Sequence, residues 1–76
     1  MHITYDPQAD AAYITLGDTP IPAGEVARTV HSIQAPNGGE IALDFDAAGH
    51  LLGIEVLTAS RTLAEHLLDA AAPTNK

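Results

Sequence analysis

The 76-residue chain contains no cysteine. That absence excludes disulfide staples, thiolate metal sites and cysteine nucleophiles, and it fits a reducing compartment. Basic residues are scarce: three Lys and Arg against ten Asp and Glu give a formal net charge of -7. Nucleic-acid and anionic-membrane binders carry clustered Lys and Arg, so neither partner is expected. Long apolar runs are missing as well, and crossing a bilayer takes about 20 consecutive apolar residues. With no basic-then-apolar leader at the start, the expected location is the cytoplasm.

What remains is enough for one domain. Of the hydrophobic 46%, 14 residues are alanine, which leaves 21 larger apolar side chains for a core. A domain of this size buries only about 60% of the surface its unfolded chain exposes, and many such domains gain burial from a partner chain. Self-association, with a dimer favoured, is therefore expected. Residues 1–72 read as one folded unit and residues 73–76 as a frayed tail.

Periodicity supplies the elements. Ile3 and Tyr5 alternate with His2, Thr4 and Asp6 until Pro7 imposes a turn, and alternation resumes over Ala11 to Gly17. Opposing Ile3 to Ile14 and Tyr5 to Ala12 keeps the apolar residues on one face and leaves Pro7 to Asp10 as a four-residue loop. A third strand is expected from about Glu25 to Ile33, its facing unassigned, followed by a tight turn at Ala35-Pro36-Asn37-Gly38-Gly39.

Ile41, Leu43 and Phe45 then alternate with Ala42, Asp44 and Asp46, and Leu52, Ile54 and Val56 with Leu51, Gly53 and Glu55. Both apolar sets reach one core if Phe45 opposes Leu52, Leu43 opposes Ile54 and Ile41 opposes Val56. That register makes Ala48-Gly49 a two-residue loop and asks Ala48 for a positive φ; a bulged three-residue loop is the alternative. After Leu57 the period becomes helical, with Leu63, Leu67, Leu68 and Ala71 on one stripe, Thr62 and Glu65 spaced as a capping box, and Pro73 ending the run. The expected fold is α+β: an antiparallel five-stranded β-meander with one C-terminal α-helix packed on one sheet face. The helix should cover Ile3, Ile14, Leu43, Phe45, Leu52 and Ile54 and leave the opposite face bare.

Two blocks, Tyr5 to Ile14 (YDPQADAAYI) and Asp44 to Ser60 (DFDAAGHLLGIEVLTAS), make the chain resemble the YuzE-like family of small bacterial proteins, domain of unknown function family 2283. The resemblance runs from about Met1 to Leu63. It departs from the usual pattern at Ala48, which stands where an acidic residue precedes Gly49. The resemblance implies a bacterial cytoplasmic protein with a curved antiparallel sheet and self-association, and it implies no settled activity.

Candidate site residues lie on the face away from the helix. There Asp44 and Glu55 become diagonal neighbours beside Gly53, whose missing side chain leaves a shallow floor. Asp46 opposes Leu51, and Tyr13 projects outward beside them. Such a surface suits a ligand or partner bound by Tyr13, Asp44, Asp46, Leu51 and Glu55, with Tyr13 as its aromatic anchor. The bland reading is a solvated acidic face. Neither Asp44-x-Asp46-x-x-Gly49 nor the scattered His2, His31, His50 and His66 has the spacing of a metal site, so no metal and no cofactor is expected. His50 beside Asp46 has the makings of a pH-sensitive pair. No phosphate loop or nucleophile motif occurs.

The leading functional expectation is a non-catalytic, self-associating binding or assembly module, with a basic protein as a possible partner. An antitoxin-like role shares only the small size and acidic charge. The rival is a small enzyme or ligand-binding protein whose pocket forms between subunits at Tyr13, Asp44 and Glu55.

Overall fold

A computed structural model describes residues 1–73. Along the chain run β1 (His2–Asp6), β2 (Ala11–Thr15), β3 (Arg28–Gln34), β4 (Glu40–Phe45), β5 (Leu51–Leu57), α1 (Ala59–Thr62), α2 (Glu65–Ala70) and β6 (Ala72–Pro73). The expected α+β class is observed, with five antiparallel strands in one sheet. The strand order is β3-β4-β5-β2-β1-β6, so the sheet departs from a simple meander. β2 pairs with β5 rather than with β3, because the Ile14 and Ala12 face continues directly onto Ile54 and Val56. β3 is thereby displaced to the far edge.

The first hairpin has the expected register, Ile3 opposite Ile14 and Tyr5 opposite Ala12. Ile41 opposes Val56 and Leu43 opposes Ile54, also as expected, but Phe45 opposes Leu51 rather than Leu52. The reason lies in the turn. Asp46 and His50 close a three-residue loop in which Gly49 takes a φ of 88° and Ala48 needs no positive φ. A bulge between Asp44 and Phe45 then absorbs the odd residue, so the strands beyond it keep their facing.

The C-terminal helix is two short helices rather than one. Leu63 and Ala64 are both extended, with ψ at 147°, and separate α1 from α2. The capping box expected from Thr62 and Glu65 does not form, because the Thr62 hydroxyl turns back to the Thr58 and Leu57 carbonyls. Pro73 does follow the helix, but it does so within the short strand β6, which runs parallel to β1. Of the expected frayed tail, residues 74–76 lie outside the described residues.

The core is small. Ala12, Val56 and Ala59 are buried, and Tyr5, Ile14, Ile54, Leu63 and Leu68 pack around them. No large side chain among the described residues is completely buried. Helices of four and six residues are only about 6 and 9 Å long. They rest over the β2 and β5 end of the sheet and do not bring Leu43, Phe45 or Leu52 into the packed cluster, contrary to expectation.

Candidate functional site

Tyr13 leaves the sheet on the face opposite the helices, from the middle of β2. Its neighbour across β5 is Glu55, and its ring leans diagonally over Gly53, where a Cβ would overlap the phenol. Only glycine leaves room for that ring. The phenolic oxygen thus reaches β4 and donates to Asp44 Oδ2 at 2.6 Å, while Thr29 Oγ1 on β3 donates to Asp44 Oδ1, also at 2.6 Å. One polar chain crosses four adjacent strands.

Burial and the Asp44 carboxylate raise the Tyr13 pKa well above its ordinary value, with a smaller contribution from Glu55. Tyr13 therefore stays protonated and serves as a donor. Asp44 spends one oxygen on each hydroxyl, and both bonds tie it down.

The sequence-predicted residues do not all converge. Tyr13, Asp44 and Glu55 share the reverse face, with Glu55 exposed beside the Tyr13 ring. Asp46 belongs to the hairpin instead: its carboxylate accepts from the Ala48 and His50 amides and lies 3.4 Å from His50 Nδ1. The His50 amide bond, outweighing partial burial, holds the Asp46 pKa below the usual carboxylate range. Leu51, expected opposite Asp46, opposes Phe45, because the bulge shifts it. It is 37% exposed and, with Leu52, lines a depression against the Thr19-Pro20-Ile21-Pro22 segment.

Contrary to the expectation from the sequence, the reverse face is not bare. The chain must travel from β2 to the distant edge strand β3, and the connecting loop lines a groove of about 620 Å³ with His2, Thr4, Tyr13 and Thr15. Thr19-Pro20-Ile21-Pro22 forms the facing wall, and Ile21 is its half-buried residue. Among the described residues, no three His, Asp or Glu side chains converge as a metal-ion site would require.

A second polar cluster was not expected from the sequence. Asp10, in the left-handed region at φ 50°, accepts from Tyr5 Oη at 2.7 Å, from the Ser60 amide at 2.9 Å and from Ser60 Oγ at 2.8 Å. Its own carbonyl accepts from the Ala59 amide. Asp10 thus supplies from a distant loop the cap that α1 lacks locally. These hydrogen bonds, that from Tyr5 foremost, lower the Asp10 pKa. The available signal was Tyr5 itself, a core-facing phenol whose hydroxyl requires a partner.

The family model described as "Protein of unknown function (DUF2283)" matches residues 2–60, and the chain belongs to that family. No curated protein and no solved structure matches the chain. No described helix is long and apolar enough to cross a membrane.

Proposed function

We propose that this member of the DUF2283 family is a non-catalytic assembly module that works as a self-associated species, most simply a homodimer. The observation that carries the reading is the poverty of the core. Among the described residues the buried apolar ones are Ala12, Ala42, Val56 and Ala59, three of them alanines. The chain exposes 5021 Å² at 7.9 kDa, some 600 Å² more than the ~4400 Å² that a compact monomer of that mass exposes. Burying such an excess against another chain adds apolar burial that the monomer lacks. The surplus of acids favours a basic protein as any further partner.

Sedimentation equilibrium across the micromolar range, paired with thermal unfolding at each concentration, tests this. A self-associating module gives a mass above 7.9 kDa and a Tm that rises with concentration. A monomer whose Tm is indifferent to concentration would refute it.

A second reading has one observation in its favour, the groove beside Tyr13, whose volume of about 620 Å³ suits a small ligand. On that reading Ile21→Lys, in the groove wall, abolishes binding of any ligand found by chemical-shift screening, whereas on the assembly reading it leaves association almost intact.

A further inference from the structure

The helices leave part of their own sheet face uncovered. Following the register, Val30 on β3 opposes Leu43 on β4, Ile33 opposes Ile41, and Phe45 lies at the end of the same row with Leu51 as its β5 neighbour. Cross-strand partners share a face, so these six apolar side chains form one surface on β3, β4 and the start of β5. Val30 is 40%, Ile33 36% and Leu51 37% exposed, and Ile41, Leu43 and Phe45 are only half-buried. None of the six belongs to the packed cluster beneath the helices.

Charge follows the same division. The acids of these strands, Glu40, Asp44 and Glu55, alternate onto the reverse face, although the chain as a whole carries a net charge of -7. Arg28, opposite Phe45, is the charged residue on the apolar side, and it borders the same depression as Asp46.

We infer that this apolar face of β3, β4 and β5 packs on its counterpart in a second copy of the chain, sheet against sheet, about a two-fold axis. The inference rests on the assembly reading above and assigns its surface. A second copy fits because an isologous contact requires a self-complementary patch, and a face whose acid, Asp46, lies at the rim beside Arg28 lets two acidic molecules approach with little opposition of like charges. Two sheets packed this way leave the Tyr13 face on the outside. Removing roughly 600 Å² from each chain gives about 1200 Å² in all, the lower bound of specific interfaces, so association in the micromolar range is expected.

The absence of cysteine makes the test direct. The full chain and its Val30→Lys and Val26→Lys variants are compared by sedimentation, with circular dichroism confirming the fold; both positions are exposed. Val30→Lys should weaken association at least tenfold, whereas Val26→Lys, which lines the groove beside Tyr13 on the reverse face, should not. Ile33→Cys carrying a nitroxide should report an intermolecular distance below about 30 Å, a reach set by two sheets packed ~10 Å apart, and this readout serves if the lysine variant fails to fold. Association that survives Val30→Lys, or no intermolecular coupling at Ile33→Cys, overturns this surface while leaving the assembly reading intact. A wild-type chain that stays monomeric overturns both, including the case in which the face binds a different protein.

Discussion

The ring of Tyr13 lies over Gly53, and each explains the other. Tyr13 sits opposite Glu55 in the ladder, yet its hydroxyl meets Asp44 two strands away, because Gly53 offers no side chain to block the diagonal. An aromatic ring restores to the sheet the packing that a strand glycine forfeits.

Gly53→Ala should therefore destabilise the domain by about 1 to 3 kcal/mol, since a methyl there must displace the ring from a packed position. Urea unfolding measures the loss. Combined with Tyr13→Ala, the same substitution should cost much less than the sum of the two single changes, the signature of residues in contact.

Tyr13→Phe keeps the ring and removes only the donor to Asp44. The expected loss is about 1 to 2 kcal/mol, the range for a hydrogen bond to a charged group at a partly exposed site. Thr29→Val removes the other donor to the same carboxylate. A double-mutant cycle between the two should show coupling, because either bond alone still orients Asp44.

The phenols should resist ionisation. Burial and Asp44 raise the Tyr13 pKa, and the hydrogen bond to Asp10 raises that of Tyr5. A pKa raised by folding contributes stability that is intact below the unfolded value of about 10 and is lost as pH climbs above it. Tyrosinate absorbance at alkaline pH should thus appear later than for free tyrosine and coincide with loss of structure. Titration of both residues at the ordinary pKa in a folded chain would contradict the two hydrogen bonds.

At the acid end the sign reverses. Folding lowers the Asp10 pKa, so its contribution is present above the unfolded value of about 3.9 and disappears as pH falls below that value through the folded one. Asp10→Asn should reduce stability at pH 7 and flatten the acid limb of the stability curve. Urea midpoints from pH 7 down to pH 3 provide the measurement, and parallel curves for the two proteins would rule out the capping role.

Thr58 holds a φ of 54° just before α1, a conformation costly for a β-branched residue. Thr58→Asn should stabilise the domain by up to about 1 kcal/mol, since asparagine tolerates the left-handed region far better. The check is a rise in Tm without change in the circular dichroism spectrum.

Much of this protein was legible in its alternation. Ile3 with Tyr5, Ala12 with Ile14, Ile41 with Leu43, and Ile54 with Val56 each repeat at two residues, so their pairing follows from the need to place every apolar set on one side. The same parity put Tyr13, Asp44 and Glu55 together on the other side. The hairpin at Ala47-Ala48-Gly49 was harder, because a glycine suits either loop length and only the compensating bulge decides between them.

Strand pairing by period is a local property, and the amino-acid sequence alone determined it here, along with the α+β class and the acidic surface. Tertiary structure decided what depends on distant segments: the insertion of β5 beside β2, the capping of α1 by Asp10, the reach of Tyr13 across Gly53, and how far the helices extend. Those outcomes turn on which surfaces compete for the same neighbour. A repeat of two or of 3.6 residues states which side of an element is apolar, but only the assembled chain reveals what covers it.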